Sequence, residues 1–234
     1  MDPLTKIRFE AACQAHDEFH SAFAHLFTEP YFDRTEVEVI AGKFRLETLI
    51  FLDSGRVGRI ICVNDASGNL IYTGFPMVGE QIFKQYIQHS NQKEYYIIGT
   101  DLDSFILINL TEVKVDYVSF DRLVAEDKPE FSHIGWWYIS DWMYNPANDL
   151  VAANGFCIQN MGMVELIDFS NPDNIFFPSI NLSGEIYHKY DLDDDTLVRS
   201  WTADNGLELW APGAPNNTLY MSEEELLDTL KKGR

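Results

Sequence analysis

Three groupings of side chains have types and spacings that could do chemistry. Cys13, His16 and His20, with Asp17 beside them, would share one face of a helix, the geometry from which zinc ligands are drawn. Spacing places no fourth ligand and the H-E-x-x-H pattern is absent, so the plainer reading is a solvated helix face, and no metal is expected. Asp191, Asp193, Asp194 and Asp195 form the densest carboxylate cluster, and D-x-D-x-D spacing invites calcium. A calcium loop of the EF type needs Gly at its sixth position and Glu at its twelfth, where this chain has Thr196 and Thr202. An acidic surface turn is the expectation.

The third grouping is aromatic. Trp136, Trp137, Tyr138, Trp142 and Tyr144 lie in WWYISDWMY, with Asp141 between them. On one regular strand Trp136, Tyr138, Trp142 and Tyr144 face one way and Trp137 faces the other. One side must be core, and the other could line a channel or a binding surface, where Trp and Tyr dominate the energetics. Trp137, Asp141, Trp142 and Tyr144 are therefore the candidate binding residues; the competing reading is that most of these rings are core. No residue is singled out as catalytic. G-x-S-x-G, Walker A and G-x-G-x-x-G patterns are absent, so no cofactor is expected. Cys157 follows Gly155 and Phe156 in a strand-like run, where a thiol behaves as a small inert hydrophobe.

Charge narrows the partners. The formal net charge is −20. Such a chain does not suit nucleic acid, which is bound by Lys and Arg that displace counterions, nor an anionic membrane surface. It suits a basic protein partner, or simply a well-solvated surface. Cys13, Cys62 and Cys157 are far apart, odd in number and without CxxC spacing, which reads as reduced thiols in a cytoplasmic protein. No apolar run approaches the ~18 residues of a membrane-crossing helix, and the first residues lack an apolar secretion segment.

The elements that must carry these groups read as mainly β. Residues 1–34 form an N-terminal helical arm, with Phe19, Phe23 and Phe27 as an apolar stripe ended by Pro30. From Thr35 to residue 220 the period is two, interrupted by turns at Ala41-Gly42, Ala66 to Gly68, Asp101 to Ser104, Asn145 to Asn148, Asn160 to Gly162 and Ala203 to Gly206. In the last of these, Asn205-Gly206 predicts a hairpin in which both residues take positive φ. Ile82, Phe83, Tyr86 and Ile87 fall on a helical face and predict a short helix over 79–90. The run NIFFPSINLSGEIYHKY is mixed and broken by proline. Residues 221–234 form a closing helix, with Ser222 and Glu225 as a capping box and Leu226, Leu227 and Leu230 as the apolar face.

Four pieces share one plan: GRIICVNDASGNLIYTGF, EYYIIGTDLDSFILINL, NDLVAANGFCIQNMGMVELIDFSN and TLVRSWTADNGLELWAP are each strand, polar turn, strand. The marker residues Gly68, Ser104, Gly162 and Gly206 are spaced by 36, 58 and 44, of which the last falls in the roughly 40–45-residue period of propeller blades. NGLELWAPG and IDFSN resemble the middle hairpin of WD-type blades, over about residues 60–210. The Gly-His pair of that family is absent, and Asp141-Trp142 reverses its Trp-Asp. The resemblance implies antiparallel hairpin repeats in a small or incomplete propeller; a plain antiparallel sheet or sandwich is the alternative. The functional expectation is a non-enzymatic acidic binding module for a basic protein, with a hydrolase or lyase using Asp and His at one end of a propeller-like scaffold as the alternative.

Overall fold

A computed structural model describes Pro3, Lys6 and residues 28–74, 83–99, 104–119, 137–157, 162–174, 177–192 and 195–232. The expected N-terminal helix, the Cys13, His16 and His20 group, and the Asp193-Asp194 pair lie outside the described residues. The described chain is mainly β. It forms four small antiparallel sheets in which strands follow one another in chain order, with two α-helices. It divides into two compact units, residues 1–82 and 83–234.

The first unit holds the first sheet: β1 (Phe32–Ile40), β2 (Phe44–Asp53), β3 (Arg56–Asp65) and β4 (Leu70–Gly74). The expected turn at Ala41-Gly42 joins β1 to β2, and both residues take positive φ (51° and 68°). Ser54 and Gly55 make the next turn, again at positive φ (48° and 88°), so Asp53 faces Arg56 across a two-residue loop. Asp65 organises the third turn by accepting from the backbone N–H of Ser67 and Asn69, both at 2.8 Å. Along β2 every residue from Leu46 to Phe51 is buried, so both faces of this strand are covered. Glu47 and Thr48 are buried there with the apolar residues.

The second unit holds the other three sheets. The second sheet is β5 (Lys84–Gln88), β6 (Glu94–Gly99), β7 (Ser104–Asn109) and β8 (Lys114–Ser119). The helix expected over 79–90 is corrected here: Lys84–Gln88 is an extended strand paired with β6 in register from Lys84↔Ile98 to Gln88↔Glu94. The apparent helical face came from two apolar pairs four residues apart. In the strand Ile87 points into the core, while Tyr86 is exposed and donates to Glu94 Oε1 at 2.8 Å. Gly99 lets Phe83 close over the sheet, because a Cβ there would lie 2.1 Å from the Phe83 ring.

The third sheet is β9 (Trp137–Asn145), β10 (Leu150–Cys157), β11 (Gly162–Asp168) and β12 (Ser179–Asn181), and α1 (Leu182–Tyr190) follows directly. This helix sits in the run that reads as mixed and proline-broken. Asn181 caps it by accepting from Gly184 N–H at 3.0 Å, and Asp191 ends it in the left-handed conformation (φ 53°). The fourth sheet is β13 (Leu197–Trp201), β14 (Leu207–Trp210) and β15 (Thr218–Met221), followed by α2 (Glu223–Lys232). The turn before β14 differs from expectation in one respect: Asn205 takes positive φ (62°) and Gly206 does not. Glycine is needed there for space, since a Cβ would lie 2.5 Å from Tyr220 Oη and 2.7 Å from Met221 O. The capping box forms as expected. Ser222 N–H donates to Glu225 Oε2 at 3.0 Å, and Glu225 N–H donates to Ser222 Oγ at 3.3 Å. Leu226 and Leu230 are buried, whereas Leu227 is exposed.

Within this unit the three sheets stack face to face. Val151, Ala153 and Ile167 of the third sheet pack with Tyr95, Ile97, Phe105 and Leu107 of the second. Leu150, Ala152, Val164 and Leu166 lie on the opposite face and pack with Val198, Leu207, Leu209 and Met221 of the fourth, and with the two helices. The third sheet is thus the middle layer. Its central strand is small at Ala152 and Ala153, and both are fully buried.

Candidate functional site

The aromatic run on β9 does not follow one regular alternation. The pairing of β10 with β9 shifts between Asn154 and Gly155, placing a bulge at Ser140-Asp141. The bulge flips the parity, so Ile139 shares the core face with Trp142 and Tyr144. This corrects the expectation that even-numbered residues face one way along the whole strand. Trp142 is only 2% exposed, stacked parallel to Phe83 (centroids 6.2 Å apart) and tilted against Phe105 (4.8 Å). Among the described residues its Nε1–H has no hydrogen-bond partner. Asp141 is exposed, and its Oδ1 accepts from Trp142 N–H at 2.8 Å, which stabilises the bulge. Trp137 begins β9; its side chain lies outside the described residues. Of the four candidates, Asp141 alone is placed with its side chain exposed.

Tyr144 leads instead to a polar cluster that sequence reading missed. Its hydroxyl donates to Asp149 Oδ1 at 2.5 Å, and Ser90 Oγ donates to Asp149 Oδ2 at 2.5 Å. His89 Nε2 lies 3.4 Å from Asp149 Oδ1 and 2.9 Å from the carbonyl oxygen of Phe169. Its Nδ1 accepts from Asn91 N–H at 3.1 Å, so the ring proton sits on Nε2 and is donated to Phe169 O. The imidazole is fully buried and enclosed by Tyr95, Tyr144 and Phe169 at 5.7–5.8 Å between centroids. A Ser, a His and an Asp are therefore neighbours, but not as a catalytic relay. The serine is bonded to the aspartate, and both ring nitrogens hold backbone groups. The group fastens the β5–β6 turn to the β9–β10 and β11–β12 connections. Burial, aided by Asp149, pushes the Tyr144 phenol up, so it remains a donor at neutral pH.

A second cluster adjoins it. Lys93 Nζ is 2.6 Å from both Asp173 Oδ2 and Glu112 Oε1. Tyr95 Oη and Asn109 Nδ2 donate to Asp173 Oδ1 at 3.1 and 3.3 Å. The bond from Lys93 holds the Asp173 carboxyl below its usual range, and burial pushes the Tyr95 phenol up to about 12. On the far side of the third sheet Glu223 accepts from Asn148 at 3.0 Å and from Asn205 at 3.5 Å. These bonds gather the turns of the second, third and fourth sheets at one acidic end.

The opposite seam is fastened by buried polar groups. Asn154 Oδ1 accepts from Val198 N–H at 2.7 Å and its Nδ2 donates to Val198 O at 3.3 Å, so the side chain stands in for a neighbouring strand. Ser183 Oγ accepts from Val164 N–H at 2.9 Å and shares a hydrogen bond with Thr196 Oγ1 at 2.5 Å. Asp195 Oδ1 accepts from Gly162 N–H at 2.5 Å, which turns one member of the acidic cluster into a clamp on the start of β11. Glu165 is half-buried on the opposite face from Val164 and Leu166, and loss of solvent pushes its carboxyl up to about 7.

His89, Asp149, Asp173 and Lys93 were not singled out in the sequence, since the contacts that join the sheets, His89 to Phe169, Ser90 to Asp149 and Lys93 to Asp173, span 59 to 80 residues. Among the described residues no group of three or more His, Cys, Asp or Glu side chains is placed to hold a metal ion, and no helix is long and apolar enough to cross a membrane. Compared with protein-family models, with curated proteins and with solved structures, the chain finds no match.

Proposed function

We propose that this chain is a non-catalytic binding module that meets a basic protein through its acidic surface. The observation that carries this reading is the net charge of −20. It draws support from the acidic end of the second unit, where Lys93 is shared between Asp173 and Glu112 while Asp149 and Glu223 hold turn residues. Such a field raises the encounter rate with a positively charged partner and disfavours nucleic acid. The scaffold is proposed to be propeller-like. Its support is the face-to-face stacking of three consecutive up-and-down sheets, each containing one of the repeated hairpins. On this reading Asp141 is the member of the aromatic run available to a partner.

The test is capture on immobilised protein at low and high salt. A basic protein retained at about 50 mM salt and released near 500 mM is the expected result, since surface attraction is screened over about 10 Å at 0.1 M. Retention that ignores salt, or no basic partner at low salt, overturns the reading.

A further inference from the structure

Among the described residues the first sheet ends at β1, which pairs with β2 alone and whose outer edge bears no paired strand. The direction of its outward backbone groups follows from two turns. Asp53↔Arg56 closes a two-residue hairpin, so odd-numbered residues of β2 bond to β3 and even-numbered ones bond to β1. Lys43 N–H donates to Ile40 O at the other turn, which agrees: Ile40, Glu38 and Glu36 are the hydrogen-bonded positions facing Phe44, Leu46 and Thr48. The N–H and C=O groups of Thr35, Val37 and Val39 therefore point away from β2.

The same stretch is exposed on both faces. Val37 and Val39 are 49% and 67% exposed on one face, and Glu36 and Glu38 are exposed on the other. β1 carries Asp33, Glu36 and Glu38 against Arg34, whose guanidinium lies against Asp33 and 2.9 Å from Glu36. Long exposed edges that bear valines are usually blunted by lysine, proline or a bulge. Here the one irregularity is at Phe32/Arg34, before the exposed stretch, and the charges are mainly acidic.

We propose that β1 is a docking edge that takes one β-strand of a basic protein, with alternating basic and apolar side chains, by antiparallel or parallel addition. Basic residues of that strand lie beside Glu36 and Glu38, and apolar ones beside Val37 and Val39. The inference rests on the acidic-module reading for the sign of the partner's charge and adds the element that contacts it. A second copy of this chain is the wrong occupant on charge, since each copy carries −20.

The probe is a fluorescent nine-residue peptide of alternating Lys and Val, measured by anisotropy against the whole chain. Its control is the same peptide N-methylated at every residue, which keeps charge but leaves no N–H on either edge to extend the ladder. Val37→Pro removes an outward N–H and no bond to β2, and Val37→Thr keeps that N–H as its comparison. The expected result is saturable binding of the plain peptide, weakened at least about tenfold by N-methylation and by Val37→Pro and little changed by Val37→Thr. Equal binding of plain and N-methylated peptides overturns the docking edge and leaves the charge-based function standing. No binding of the plain peptide overturns it too, while salt-sensitive capture of basic proteins would still support the function. Concentration-dependent dimerisation lost in Val37→Pro also overturns it, because the occupant would be a second copy.

Discussion

The third sheet, with the connection between β11 and β12, presents an aromatic face to the second sheet and a mostly aliphatic face to the fourth. Phe169, Trp142 and Phe177 meet Tyr95 and Phe105 on one side. Leu150, Val164 and Leu166 meet Val198, Leu207 and Leu209 on the other. The two seams solve their polar problem differently. The aromatic seam gathers its hydrogen bonds at one end, around His89 and Asp149. In the aliphatic seam they lie in the buried interior, on Asn154, Ser183 and Thr196. Rings supply area and edge-to-face contacts but no backbone partner. Aliphatic packing leaves room for short polar side chains that pair with exposed strand backbone, and these must be fully satisfied to be tolerated.

The sharpest way to break this comparison is truncation at each seam. Phe169→Ala removes a ring that contacts His89, Tyr95, Trp142, Tyr144 and Phe177, and is expected to cost about 4 kcal/mol in urea unfolding. Leu166→Ala on the other face should cost about 3 kcal/mol. Equal losses would remove the distinction. Next in size, Asn154→Leu leaves the N–H and C=O of Val198 buried without that partner and should cost about 2–3 kcal/mol, despite added apolar volume. A neutral result would mean that water reaches β13 and that the seam is not held by this side chain.

Glu165 sharpens the comparison through pH. Its carboxyl, pushed up to about 7, holds its proton in the folded chain between pH 4.5 and 7, while the unfolded chain has released it. The unfolded state then binds fewer protons, so stability falls as pH rises across that window and is level above it. Glu165→Gln should flatten this slope and raise the stability at pH 8 by about 1–3 kcal/mol, read from urea midpoints at pH 5 and 8. An unchanged slope would place the titration elsewhere. The smallest effect is at the helix that closes the aliphatic seam. Ser222→Ala removes half of the capping box and should cost about 1 kcal/mol. Glu225, held down to about 2 chiefly by its bond from Lys189, adds stability above pH 4.5 that is lost as the pH falls toward 2.

Much of this fold was legible because the signals were local. Alternation and turn residues placed the hairpins at Ala41-Gly42, Asn145–Asn148 and Asn205-Gly206, and Ser222 with Glu225 marked the start of α2. Two elements were misread for opposite reasons. Lys84–Gln88 mimics a helical face but is drawn into a strand by its ladder to β6. Leu182–Tyr190 is a helix hidden behind Pro178, although Asn181 was its visible cap. The aromatic run was read as one strand, correctly, but a bulge changes which residues share a face, and no sequence pattern marks a bulge of this kind. The Asp149 and Asp173 clusters were out of reach because the bonds that complete them, Ser90 to Asp149 and Lys93 to Asp173, form only after separate sheets have stacked.

The middle position of the third sheet has a consequence for time rather than for energy. β10 is flanked by β9 and β11 within its sheet, and Leu150 to Ala153 are shut off from water on both faces. No local fraying exposes those amides; only loss of both seams does. Their protons should therefore exchange with deuterium last in the second unit, at the rate of its global opening, while amides pointing out from β1 exchange early. The strand whose side chains are smallest at its centre would then keep the slowest clock in the second unit.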